Sequence, residues 1–229
     1  MMVKIDKPPE IYQLHIMLLK INPPIWRRIL VRSDSNVADL HYTLQIAFDW
    51  SDFHLHRFLI RGKEYGIGRS GCTFFSTDAK TVCLADFGFR RNERFLYEYD
   101  FGDLWEHQIR VEGVQPIQPK KVYPVCIAGS RAAPTEDCGG PEAYMDRMDD
   151  HRLDPPFDEL LLISETLERV LNAKEDQTVR EVLGDPEDFK EAVERLEAYT
   201  QFRPDHLDRR KLNRRLKFYA EGNEKWMCE

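Results

Sequence analysis

The sequence holds no apolar run long enough to cross a bilayer, no CxxC pair, no internal repeat, no low-complexity tract and no excess of positive charge. Each absence removes a class of protein. A spanning helix needs about 20 consecutive apolar residues, and the opening MMVKIDKPPEIY lacks even the shorter apolar core of a secretory leader. The five cysteines (Cys72, Cys83, Cys126, Cys138 and Cys228) are odd in number and form no paired spacing, so they read as reduced thiols rather than a disulfide framework. A net charge of −7 argues against broad, sequence-independent nucleic-acid binding, while leaving room for a local basic patch. The expectation is a soluble, cytoplasmic protein with no membrane partner.

What is present is ordinary globular material. The chain has 229 residues, 42% hydrophobic and 32% charged, enough for one large core or for a core with a helical appendage. Its clearest pattern lies at 94–111. Phe95, Tyr97, Tyr99 and Phe101 alternate on one side, then Trp105, His107, Ile109 and Val111, with Gly102-Asp103 between. Period-two alternation about a glycine turn predicts a half-buried antiparallel hairpin with an aromatic face. Asp100 and Asp103 then sit at its tip.

Earlier in the chain, residues 11–21 and 25–31 read as a hairpin broken at Asn22-Pro23-Pro24. Asn36, with Asp39 three residues on, predicts the cap of a helix over 37–48 whose core stripe is Val37, Leu40, Leu44, Ala47 and Phe48. Residues 54–60 read as a strand carrying His54, His56, Phe58 and Ile60 on one face. Residues 62–80 read as an excursion and 124–141 as a long ordered loop. From Glu142 onward the period changes to 3.6. Leu160, Ile163, Leu167 and Leu171 predict one helix, 178–183 a short one, and Phe189, Val193, Leu196 and Tyr199 another after Asp185-Pro186. Leu207, Leu212, Leu216 and Tyr219 predict a last one over 205–220. Strands first and helices last imply an α+β fold: an antiparallel or mixed sheet built on hairpins, a packed helix after the second strand and a helical C-terminal region. The expected division is a core at 1–150 and a helical extension at 151–229.

Five stretches together carry a resemblance: PPIWRR at 23–28, LHYTLQIAFDWSDFHLHRF at 40–58, YEYDFGDLWEH at 97–107, PVCIAGSRAAPTEDCGG at 124–140 and FRPDHLDRRKLNRRL at 202–216. The chain resembles the plasmid ORF-3-like family, named after a reading frame on a root-inducing plasmid, whose members are also labelled insertion-element passenger proteins of resolvase type. The resemblance implies a compact α+β domain and an association with plasmids and mobile elements. It does not bring a recombinase with it. The first serine is Ser33, at a helix start rather than among N-terminal arginines, and Tyr219 follows the His206–Arg209 pair too closely for a tyrosine recombinase.

The candidate chemistry gathers at the hairpin. His54 and His56 leave one strand face together, as do Asp103, Trp105 and His107. Neighbouring strands would bring three imidazoles and a carboxylate into one divalent-metal site, for Zn or Mn. A histidine pair of this kind also suits a metal-dependent phosphodiesterase or nuclease, with Tyr144, Tyr199 or Tyr219 as attacking group. The plainer reading is a set of satisfied core histidines. Glu136 and Asp137, before Gly139-Gly140, either face a ligand beside the hairpin tip or fix the loop by accepting backbone N–H groups or salt-bridging Arg27 or Arg28. The pocket candidates are therefore Asp100, Asp103, Glu136, Asp137, Trp105 and Arg28, and the metal candidates His54, His56 and His107. Cys126 has no base placed beside it. The GxGxxG at 66–71 follows no buried parallel strand, and the DFG triplets at 86–88 and 100–102 lack every other kinase element. Arg209, Arg210, Lys211, Arg214, Arg215 and Lys217 make the last helix a candidate contact for nucleic acid or an acidic protein, or else a solvated helix paired with nearby acids.

Overall fold

The computed structural model describes residues 8–68, 75–174 and 177–227. The chain falls into two compact units, Met1–Met145 with Asp205–Glu229, and Asp146–Pro204. The last helix thus belongs with the strands, and only the middle of the helical region stands as a unit of its own.

The first unit is built on one eight-stranded sheet. Its strands are β1 (Glu10–Leu18), β2 (Trp26–Arg32), β3 (His56–Ile60), β4 (Lys63–Gly66), β5 (Thr77–Asp78), β6 (Arg94–Tyr99), β7 (Trp105–Pro116) and β8 (Val125–Ser130), in the order β5-β4-β3-β6-β7-β1-β2-β8. Every pairing is antiparallel except β4–β5. The architecture is the α+β one expected, and the β6–β7 hairpin lies inside it with Tyr99 opposite Trp105, Tyr97 opposite His107 and Phe95 opposite Ile109. Those six side chains are all buried, whereas Phe101, out in the turn, is not. Each large apolar side chain sealed in this way contributes about 1.5–3 kcal/mol.

Residues 124–141 are not all loop. Six of them form β8 on the sheet edge beside β2. The alternation signal is weak there because only Cys126 is fully buried in a strand of small residues. The excursion at 62–80 also contributes strands, β4 and the two-residue β5. The second half of the GxGxxG stretch, like Cys72 and Cys228, lies outside the described residues.

Helix α1 (Val37–Phe48) has the start the sequence requires. The Asn36 side chain accepts from Asp39 N (2.7 Å) and the Asp39 carboxylate accepts from Asn36 N (2.9 Å), a reciprocal cap. Ten of its twelve residues are buried, including His41, Thr43 and Gln45, which a one-sided stripe would leave outside. Part of the reason is α6 (Arg209–Ala220), which packs beside it: Tyr219 donates to Asp39 (2.8 Å), and Arg215 pairs with Asp49. Helix α2 (Gly140–Leu153) follows the loop after β8.

The outward side chains of the sheet form an ion ladder. A bulge leaves Glu112 as an extra residue of β7 opposite Gln13 and Leu14. Its carboxylate takes Arg28 Nε (2.6 Å), Gln13 Nε2 (2.8 Å) and Arg110 (3.0 Å). Arg57 bridges Glu98 (2.6 Å) and Glu64 (2.8 Å).

The second unit comprises α3 (Phe157–Leu171), α4 (Val179–Leu183), α5 (Pro186–Gln201) and the last turns of α2. Helix α3 packs on α4 and α5, and Arg195 clamps Asp154 (2.5 Å) and Glu159 (2.6 Å). The expected stripe of α3 departs from its role: Leu160, Leu167 and Leu171 are exposed, while Thr166 is buried. A helical unit this short closes too little interior to cover the whole stripe. Among the described residues, no helix is long and apolar enough to cross a membrane.

Candidate functional site

Three backbone segments of the first unit meet at the tip of the β6–β7 hairpin: the tip itself (100–104), the turn between α1 and β3 (49–55) and the loop after β8 (131–139). The fastenings are specific. Glu136 accepts from Ser51 N (2.9 Å) and from the Tyr99 hydroxyl, so one carboxylate ties the loop to the 49–55 turn and to the end of β6 just before the tip. Burial, and then the hydrogen bond to Glu136, push the Tyr99 hydroxyl far above its usual range. Asp103 Oδ2 accepts from Gly139 N (3.1 Å), and Trp50 Nε1 donates to Pro134 O (2.9 Å). Gly140 must be glycine: at φ +80°, any Cβ would lie 2.7 Å from the Asp103 carbonyl oxygen.

Within this frame the side chain of His54 lies between two carboxylates. Its Nε2 is 3.0 Å from Asp137 Oδ1 and its Nδ1 is 3.6 Å from Asp100 Oδ1. Asp100 and Asp137 both adopt left-handed backbone (φ 55° and 57°), which aspartate tolerates, and Asp100 Oδ1 also accepts from Gly102 N (2.9 Å). One ligand atom from each of His54, Asp100 and Asp137 lies within 4.8 Å of the others. Asp137 is 71% exposed, so the group opens to water.

A second group lies deeper, formed by His41, Asp52 and His56, again with one ligand atom each inside 4.8 Å. His56 opens β3, His41 comes from the middle of α1, and the two rings stack at 3.5 Å between centroids and 10° between planes. Around them runs a closed ring of hydrogen bonds. Asp52 N donates to Gln45 Oε1 (3.0 Å), Gln45 Nε2 donates to the Tyr97 oxygen (2.9 Å), the Tyr97 hydroxyl meets His41 Nδ1 (2.8 Å), and His41 Nε2 meets Asp52 Oδ1 (3.0 Å). The Asp52 carboxylate only accepts, so His41 Nε2 carries the ring proton and Nδ1 accepts from the Tyr97 hydroxyl.

The three imidazoles expected to converge do not. Strand β6 lies between β3 and β7, so His56 and His107 stand two strands apart, about 10 Å at the usual spacing. His56 joins the deep group, His54 the open one, and His107 neither. His107 is fully buried against Phe48, Trp50 and Tyr97, and burial pulls its pKa down to about 3. Asp103 and Glu136 fasten the loop, Trp105 is sealed in the core, and Arg28 is engaged with Glu112. Of the pocket candidates only Asp100 and Asp137 face His54. Burial raises the thiols of Cys126 and Cys138, which suits packed rather than nucleophilic sulfur. Tyr219 is bonded to Asp39 (2.8 Å), Tyr144 is buried, and Tyr199 stacks on His151 within the second unit. The basic helix α6 spends Arg215 and Lys211 on Asp49, Arg209 on the Ile127 carbonyl (2.6 Å) and Lys217 on Glu221.

His41, Gln45 and Asp52 escaped the sequence reading. The one available signal was His41 and Gln45, a turn apart on α1 and flanking the Leu40–Leu44 stripe, two polar residues where a helix meets its core.

Known proteins resemble this chain over most of its length. The profile of the plasmid pRiA4b ORF-3-like protein family matches residues 10–211. The protein titled "Uncharacterized protein y4hQ" from Sinorhizobium fredii is 31% identical over 141 residues, 60% of this chain and 71% of that one. The crystal structure of protein of unknown function MM3350 from Methanosarcina mazei Go1 superimposes with a TM-score of 0.61 at 30% identity, over 89% of this chain and 96% of that one. All the residues placed around the hairpin tip lie inside the matched span, and the chain belongs to the plasmid pRiA4b ORF-3-like protein family.

Proposed function

We propose that the chain is a binding or accessory module whose ligand site is the hairpin tip, and that it holds a divalent cation there through His54, Asp100 and Asp137. The observation that carries this reading is the convergence of three donor atoms within 4.8 Å from three separate segments. One imidazole and two carboxylates suit Mn²⁺ or Zn²⁺. The test is metal uptake by untagged protein, measured by calorimetry with Mn²⁺ and Zn²⁺. Binding in the micromolar range that is lost in both His54→Ala and Asp137→Ala supports the reading; equal heats in wild type and both variants reject it.

A second reading uses the same site for phosphodiester hydrolysis. Three protein ligands, one of them the exposed Asp137, leave coordination positions open to water and a phosphate oxygen, as catalytic metal sites do. Turnover of bis(p-nitrophenyl) phosphate with Mn²⁺ that vanishes in His54→Ala would favour it over simple binding.

A further inference from the structure

We propose that the outer face of α3, in the second unit, docks a basic amphipathic helix of a partner protein. Helical phase divides α3 into two rows. Glu159, Leu162, Ile163 and Thr166, at steps of three and four, look toward the rest of the unit. Glu159 pairs with Arg195 of α5 (2.6 Å), Thr166 is sealed, and Leu162 and Ile163 are half-buried. The row turned away from them holds Phe157, Leu160, Leu161, Leu167 and Leu171, which are between 45% and 84% exposed, and only Ser164 interrupts it. A surface helix needs one apolar stripe to hold it to its own core. Positions 157, 160, 164, 167 and 171 make a second one, spaced as the a and d residues of a heptad, the seam along which one helix receives another. Over the length of α3 it runs about 22 Å.

Charge selects the occupant. Residues 146–204 carry seventeen acidic and eight basic side chains, a net −9 in a chain whose total is −7. The row beside the seam holds the exposed Asp158, Glu165 and Glu168, and Arg169, the one basic residue of α3, is engaged with the Val182 carbonyl (3.0 Å) and Thr166 (2.7 Å). A second copy of the chain would bring one acidic unit against another. An anionic lipid surface repels the same border, and helices that lie on membranes carry Lys and Arg beside their apolar face instead. A helix with leucines at a and d and lysine or arginine at e and g completes both the seam and the charge.

The test is fluorescence anisotropy of the full chain with a labelled peptide of about 20 residues, leucine at a and d and lysine at e and g, beside the same peptide with glutamate at e and g. Leu160→Gln with Leu167→Gln cuts the seam, and Glu165→Lys with Glu168→Lys reverses its border. All four side chains are exposed, so the fold is kept in both variants. The expected result is micromolar binding of the lysine peptide, weakened about tenfold or more by the cut seam, and a preference turned to the glutamate peptide by the reversed border. Lysine-peptide binding that the cut seam leaves unchanged overturns the proposal, as does no binding at all. A dimer in sedimentation equilibrium that the cut seam dissolves overturns it in favour of a second copy. Flotation with phosphatidylcholine–phosphatidylglycerol vesicles that the cut seam abolishes overturns it in favour of a membrane.

Discussion

The Asn213 side chain pairs with both main-chain groups of Cys126: Oδ1 accepts from Cys126 N (2.8 Å) and Nδ2 donates to Cys126 O (2.9 Å). Eighty-seven residues apart in sequence, one amide of α6 does for the edge strand β8 what another strand would do. Asn213→Ala leaves two polar groups of a buried residue without partners, and we expect a loss of about 1–3 kcal/mol. Urea unfolding followed by far-UV circular dichroism measures it, and gel filtration should show the bared edge self-associating at high concentration. A variant as stable and monodisperse as wild type would mean that the edge needs no such cover.

His107 makes the fold sensitive to mild acid. Burial holds its folded pKa at about 3, against 6.5 for a free imidazole. Above 6.5 neither state binds the proton, so the packing of this ring contributes in full. Between 6.5 and about 3 the unfolded chain takes up a proton that the folded chain refuses, and stability falls by up to about 1.4 kcal/mol per pH unit. His107→Gln, less stable at pH 7 for packing reasons, should show a shallower slope of unfolding free energy over pH 6 to 4. Parallel slopes for the two proteins would place the acid sensitivity elsewhere.

Glu112 acts in a different window. Hydrogen bonding from Arg28 lowers its folded pKa to about 2, from 4.5 for a free glutamate. Its contribution is present in full above 4.5 and is lost as pH falls toward 2. Glu112→Gln should therefore cost on the order of 1 kcal/mol at pH 7, as a partly exposed ion pair does, and close to nothing at pH 2. Urea midpoints at the two pH values decide it; a cost that does not change with pH would point to shape rather than charge.

Gly140→Ala tests whether the loop after β8 builds the hairpin-tip site. With φ at +80° and a Cβ 2.7 Å from the Asp103 oxygen, alanine forces the loop off the tip. Strain of about 1–3 kcal/mol is expected, together with loss of cation uptake at His54, since Asp137 moves with the loop. Retained uptake at unchanged affinity would show that Asp137 is not a ligand.

Composition and periodicity alone determined the α+β class, the aromatic hairpin at 94–111 and the capped helix at 37–48. These are local matters: alternation and capping act over a few residues, and the chain obeys them wherever it folds. Strand order is not local, and it decided the site. Inserting β6 between β3 and β7 parted His56 from His107, put His54 with two aspartates and joined His56 to His41, which comes from α1. No pattern along the chain reports which strand lies beside which, because that order is set by how helices and loops close the core around the whole sheet.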